Sequence, residues 1–520
     1  MYYLITMGRH SIIIALLILF VSFASCRKDF EYASSTGNLE FSKDTVFLDT
    51  VFANLGSSTY SLKVYNRGKE DISIPFIGLE QGEASFYRLN VDGVAGKTFT
   101  NIPLLAKDSL YVFIETTAKI EENNTDQLLY TDILQFGKDD QTQKIPLITL
   151  VQDAVFLFPR SLSDGSSETV PIGYDAEGTE IRAPGFELQN DQLNFTNEKP
   201  YVIYGFAAVP KGQQLSIDAG ARVHFHQNSG LLIPAKASLA INGSLSSDLE
   251  NLENEVIFEG DRLEPEYSNV SGQWSGIRIA RGSSNNTINH LTLKNASVGI
   301  FVEGEPSLPS PPTLDIQNTQ IYNSLQVNLW GKSATINGKN LVLGSAGNSS
   351  LYCSSGGSYT FTHTTIANYW TKGFRNSATL TVSNYQLDAK GNTTGNDLLK
   401  ADFENCIIAG SGNFELSLDK NDSYTYNYYF NNCLINGDED KIPTQNKELY
   451  DLNNADTYQN TTWIQAVLFE NAGINDFQLG PNAPALDKGD KTAALSTPTD
   501  ILGVDRTATP DIGAYEYTGQ

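Results

Sequence analysis

Between residues 39 and 153, short runs alternate apolar with polar positions. The runs 44–52, 60–65, 71–77, 110–117, 128–136 and 145–151 are rich in Val, Ile, Phe, Tyr and Thr and are separated by turn residues. Alternation with period two buries one face of each run and leaves the other in water, so the spacing predicts a two-sheet β-sandwich of about 110 residues. Residues 154–200 carry Gly, Ser, Asp and Pro with weak periodicity, which suits a surface connector.

From residue 201 the texture changes to shorter β-rich segments, and a motif recurs: apolar, any, Asn/His/Gly, two of any, apolar, any, then usually Asn or Gly. It fits Ile288-x-His290-x-x-Leu293, Ile316-x-Asn318-x-x-Ile321, Ile336-x-Gly338-x-x-Leu341, Phe361-x-His363-x-x-Ile366, Phe403-x-Asn405-x-x-Ile408 and Phe430-x-Asn432-x-x-Ile435. Their first residues lie 28, 20, 25, 42 and 27 positions apart, the spacing of a solenoid with one insertion. In a parallel β-helix, equivalent residues of successive coils stack about 4.8 Å apart, so each apolar position becomes a continuous file. Asn and Gly at the corners accept left-handed backbone, and stacked Asn side chains can bond along a ladder. Earlier coils are expected within 201–258. A propeller would need four strands in every blade of about 40 residues, which this spacing does not supply.

Composition supports the same division. Asn occurs 12 times in residues 1–250 and 26 times in 251–450, where corners are needed. The net charge of −25 opposes binding to polyanions and argues against a nucleic-acid partner.

At the N-terminus, Arg9 and His10 precede an apolar run, 12–23, which is too short to span a bilayer and has the length of a signal-peptide core. It ends in Phe23-Ala24-Ser25-Cys26, which resembles the lipobox of bacterial lipoproteins. The resemblance implies removal of residues 1–25, acylation of Cys26, a tether over 26–38, and attachment to the outer membrane, at the cell surface or on the periplasmic face. Cys353, Cys406 and Cys433 then remain, with neither CxxC nor zinc-site spacing. Cys406 and Cys433 share one offset in consecutive coils and are expected to be stacked thiols; a bridge is the alternative.

Three further resemblances extend this expectation. The turn Asn66-Arg67-Gly68 after strand 60–65 resembles bacterial immunoglobulin-like domains. The coil openings around Tyr201-Val202-Ile203 and Gln273-Trp274-Ser275-Gly276 resemble right-handed β-helix surface lipoproteins. The tail segments Ala483-Pro484-Ala485-Leu486-Asp487 and Asp511-Ile512-Gly513-Ala514-Tyr515-Glu516-Tyr517 resemble the closing segment of secreted β-helix proteins. Together they imply an all-β chain: an Ig-like sandwich over 39–153, a connector over 154–200, a right-handed parallel β-helix over 201–440, and terminal coils with a C-terminal cap over 441–520.

Candidate chemistry is sparse. The tail carboxylates Asp487, Asp490, Asp500, Asp505 and Asp511 could bind calcium, but a cap in which Arg506 pairs bidentately with one of them is the simpler expectation. His224 and His226 alternate on a strand and point to one side, as two metal ligands would, but no third ligand is identifiable; neither a metal nor a cofactor is assigned. His290 and His363 are expected to belong to the corner ladder. The motifs of galacturonan hydrolases are absent, whereas Arg278, Arg281, Lys294 and Glu303 cluster in sequence as acids and bases of a lyase could. The expected function is non-catalytic recognition of a glycan or another surface partner along the solenoid flank, with Trp274, Tyr322, Trp330, Tyr369 and Trp370 as sugar-stacking candidates. A polysaccharide lyase or hydrolase and a structural adhesin are the alternatives.

Overall fold

The computed structural model describes residues 32–519 apart from 121–126, 175–177, 306–311, 388–390 and 445. The apolar leader and Cys26 lie outside the described residues. Among the described residues no helix is long and apolar enough to cross a membrane. The chain is almost entirely β and divides into two compact units, Met1–Gln152 and Asp153–Gln520.

The first unit is a sandwich of two sheets. One contains Val46–Phe52, Ile72–Leu79, Thr98–Leu104, Gln127–Phe136 and Gln143–Gln152; the other contains Tyr60–Tyr65, Tyr87–Val91 and Ser109–Thr116, each with short edge strands. Alternation holds strand by strand, as in Ser109–Thr116, where Leu110, Val112 and Ile114 face inward between exposed neighbours. Val46, Ile74, Leu134 and Leu147 from one sheet share a core with Leu62, Val64, Leu89 and Val112 from the other. The buried Asn66 side chain braces its turn by donating to the Glu70, Leu104 and Leu105 carbonyls.

The second unit is a stack of parallel coils, an arrangement compatible with a β-helix. Each coil contributes up to two short strands to a 19-stranded sheet and one to a ten-stranded sheet. One interior file runs Phe195, Ile217, Ile241, Ile288, Ile316, Gly338, Phe361, Phe403, Phe430, Tyr458. A second runs Leu293, Ile321, Leu343, Ile366, Ile408, Ile435. The third repeat thus sits two residues from the expected alignment: Gly338, not Ile336, stands in the first file. The cause is steric, because a Cβ at Gly338 would lie 2.5 Å from the Phe361 ring. Ile336 is also interior, but stacks on Leu314 in the neighbouring file. With this alignment the corners from His290 onward are left-handed: His290, Asn318, Asn340, His363, Asn405, Asn432 and Asn460 all have φ between 46° and 53°.

The corners form the expected ladder. Asn318 donates to Asn289 (3.0 Å), Asn340 to Asn318 (2.9 Å), Asn405 to His363 Nε2 (2.8 Å) and Asn460 to Asn432 (3.2 Å). Burial, with the Arg506 charge nearby, holds His363 neutral, its pKa down to about 2. His290 shares the corner, but its Nδ1 is buried without a hydrogen-bond partner among the described residues. Cys406 and Cys433 are buried free thiols, donating to the Phe361 and Phe403 carbonyls of the preceding coils.

Two expected boundaries change. Residues 154–200 are the opening of the stack rather than a connector: Val155–Leu157 pairs with Tyr201–Ile203, and Glu180–Glu187 pairs with Phe206–Ala208. Their strands are too short or too irregular to show a period. The tail does not close the open end of the stack but lies lengthwise along its flank. Lys488 and Asp490 carbonyls accept from Asn432 and Asn405, the Thr499 carbonyl from Asn340, and Ala514 N donates to Thr365. Underneath, outward Val342, Ala367, Ile407, Ala409 and Leu434 pack against tail residues that include Phe477, Ile501 and Ile512.

The tail carboxylates are consumed by this loop. Asp500 accepts from Leu502, Val504 and Glu516 N–H groups, Asp511 from Asp487 and Tyr517, and Glu516 from Asp511. Arg506 is not bidentate with an Asp; it donates to the Gly513 and Ala514 carbonyls and lies 3.5 Å from Glu516. Burial raises the pKa of Asp500, Asp511 and Glu516, Glu516 to about 8 despite Arg506. The folded tail therefore holds protons that the unfolded chain releases, so this contribution to stability is full below the ordinary Glu value of 4.5 and is lost as pH rises through about 8. Amide exchange across 500–517 is expected to quicken as pH rises over that window, after correction for the intrinsic rate, and Glu516→Gln should flatten the trend.

Candidate functional site

The outward face of the coils between the two files carries a polar row that begins where the tail stops. His224 on Arg222–Phe225 stacks on Glu259 of Val256–Gly260; Lys294 of Leu291–Lys294 stacks on Tyr322 of Leu314–Ser324. Phe258 pairs with Leu293, which brings Glu259 and Lys294 together at 2.7 Å. In later coils the same file contains Gly344, Ala367 and Ala409. Those residues are small because the tail lies on them: a Cβ at Gly344 would meet the Phe477 ring at 2.4 Å. Tyr515 of the tail, 3.4 Å from Gln320, borders Tyr322 and ends the covered stretch.

A second pair stands beside the first. His226 contacts Asp261 at 2.7 Å and stacks on Tyr204 with centroids 4.4 Å apart. His224-Phe225-His226 and Glu259-Gly260-Asp261 thus occupy equal offsets in neighbouring coils, so two imidazoles face two carboxylates. Segments 243–255 and 261–275 flank the row. Arg222 holds the first through the Asn251, Leu252 and Glu255 carbonyls, and Arg262 braces the second on Glu264 and the Tyr267 ring.

The electrostatics follow from these pairings. Burial lowers the pKa of His224 more than Glu259 raises it, so His224 is neutral near neutrality. Burial pushes Glu259 up, but the neighbouring His224, Lys294 and Arg222 outweigh it and its net shift is downward; burial lowers Lys294, but Glu259 carries it above its usual value. Glu259 is therefore a carboxylate rather than a proton donor. Burial raises Glu255, which accepts from Thr292 at 2.7 Å. Among the described residues no group of three His, Cys, Asp or Glu is placed to hold a metal ion. The row can offer hydroxyl groups ionised acceptors, an ammonium and an imidazole in fixed positions.

The five sequence-derived aromatics do not converge. Trp274 is 1% exposed, stacked at 4.1 Å on Phe225 inside the core and bonded to the Lys294 carbonyl, so it cannot meet a ligand. Tyr322 lies in the polar row. Trp330 is on the ten-stranded sheet, with one face toward Tyr352 and the other meeting the Phe301 edge. Tyr369 packs under the tail against Phe469 and Phe477. Trp370 stands near Lys372 on the 369–379 loop. The sequence cluster also separates: Lys294 belongs to the polar row, while Arg281 contacts Glu303 at the ten-stranded sheet, where Arg278 also lies. The missed residues are Glu259 and Asp261, whose signal was the repeat of a charged-x-charged triplet at the His-x-His offset.

No family model matches the chain, and no curated protein matches it. The crystal structure of the E. coli chaperone DraB is similar over 24% of this chain and 58% of that chain, at 13% identity and a TM-score of 0.16. That likeness carries no argument about fold or function.

Proposed function

We propose that this protein is an acylated lipoprotein of a bacterial outer membrane, anchored through Cys26, in which an Ig-like sandwich and a right-handed β-helix display a non-catalytic glycan-recognition surface. The observation that carries the reading is the row His224–Glu259–Lys294–Tyr322 with its neighbour His226–Asp261, which the tail does not cover: His226 is exposed, Glu259 and Lys294 are partly exposed, and His224 is buried. Polar side chains locked by their own pairings suit hydroxyl recognition, because little rotamer entropy is lost on binding. The row's charge selects among glycans. Glu259 and Asp261 are balanced by Lys294 and by Arg222, which keeps its charge while its donors hold backbone carbonyls, so the row has no surplus cation to attract a uronate and suits a neutral sugar. This disfavours a uronate lyase, and the depressed Glu259 disfavours a hydrolase that needs a protonated acid.

Glycan-array binding by the purified full chain tests the proposal. A neutral glycan is expected to bind, and Glu259→Gln or Asp261→Asn should weaken it about tenfold, the loss of one well-placed charged hydrogen bond. Accumulation of reducing ends or unsaturated products, abolished by His226→Ala, would replace recognition with catalysis and assign His226–Asp261 as its acid–base pair.

A further inference from the structure

Tyr322 and Tyr204 at the solenoid row are at most partly exposed, whereas the sandwich carries two neighbouring exposed rings. In the sheet of Tyr60–Tyr65, Tyr87–Val91 and Ser109–Thr116, the outward positions include Lys63, Tyr65, Tyr111, Phe113 and Asn90. Tyr111 and Phe113 follow each other on one strand and are 46% and 41% exposed. Their rings are stacked, parallel within 13° with centroids 5.9 Å apart. Lys63 Nζ lies over the Tyr65 and Tyr111 rings, 5.3 Å and 5.1 Å from their centres. The other cations are paired, Arg67 with Glu40 and Arg88 with Glu115.

We propose that Tyr111 and Phe113 form a second glycan-binding platform, on which the apolar faces of successive sugar units stack while Lys63 donates to a ring substituent. This rests on the glycan reading above but names a separate site. A folded protein partner is the poorer fit. Even fully buried, two aromatic side chains supply at most about 500 Å², short of the ~800 Å² per partner of a stable interface. A narrow chain needs only the two ring faces and adjacent polar groups, here Lys63, Asn90 and Ser61, which lies opposite Phe113. The substituent that Lys63 meets is a hydroxyl or a carboxylate, and the ligand panel separates them.

The experiment measures binding of the full chain to soluble neutral glucan, mannan and polygalacturonate by affinity electrophoresis, with circular dichroism to confirm folding. Tyr111→Ala and Phe113→Ala are each expected to reduce retardation by about tenfold in affinity, and Tyr111→Trp to restore or exceed it. Lys63→Gln should weaken polygalacturonate more than glucan if the substituent is a carboxylate, and both equally if it is a hydroxyl. Binding that survives Tyr111→Ala and Phe113→Ala but is lost in Glu259→Gln overturns the platform and leaves recognition at the solenoid standing. Absence of binding to every glycan overturns both.

Discussion

Replacing Phe403 with Ala is expected to destabilise the solenoid by about 4–5 kcal/mol, at the upper end for an aromatic deletion. The ring is fully buried, with parallel neighbours on both faces: Phe361 at 5.5 Å and Phe430 at 4.9 Å. Its removal loses both contacts. The cavity also cannot collapse, because the coils above and below are held apart by ladder hydrogen bonds between Thr362, Glu404 and Asn431 strand ends. Phe403→Leu, which keeps most of the volume, should cost less than about 1.5 kcal/mol. Guanidinium unfolding of the full chain followed by tryptophan emission would report the difference, since all four Trp lie in the second unit. Equal losses in Ala and Leu would show that the stacked rings themselves, rather than the volume they fill, hold these coils.

A comparable loss, about 3–5 kcal/mol, is expected from Glu415→Ala. Glu415 is fully buried and its side chain accepts from both Arg375 Nη atoms, from Thr379 N and Oγ1, and from Gly412 N. Arg375 is itself 7% exposed, so removing its carboxylate strands a guanidinium in a dry site. The pair clamps the 369–379 loop, which links strands Thr365–Asn368 and Leu380–Ser383 and carries Phe374, 90% exposed. Trypsin cleavage after Lys372 should therefore accelerate in Glu415→Ala well before global unfolding. Arg375→Met combined with Glu415→Leu should recover much of the stability, since an apolar pair of similar volume leaves no buried charge. Failure to recover would mean that the Thr379 and Gly412 N–H groups, rather than the guanidinium, set the cost.

The coils were legible in the sequence because their constraints are severe. A left-handed corner restricts the residue to Asn, His or Gly, and an interior file admits only apolar side chains, so both recur at fixed offsets. The third repeat was misaligned because Gly338 occupies the file as space for the Phe361 ring, and an absent side chain leaves no apolar signature. The polar row escaped notice for a different reason. Lys294 and Tyr322 stand at a position the motif leaves free, and their significance depends on Glu259 and His224 from coils that do not show the motif. The tail was recognisable as a segment, but its path was not. Its carboxylates bind their own loop, while the groups that fix it to the flank are backbone carbonyls reading corner Asn amides. Trp274 carries no sequence signal that separates a flank aromatic from a core one, and it stacks on Phe225 in the interior.

Stacking of equivalent positions produces the core, the ladder and the polar row alike, so a crystal structure of the second unit at side-chain resolution tests the account most directly. It should show Gly338 between Ile316 and Phe361 in one interior file, with His224, Glu259, Lys294 and Tyr322 consecutive on the outside. Ile336 in place of Gly338, or Glu259 and Lys294 on different faces, would contradict it.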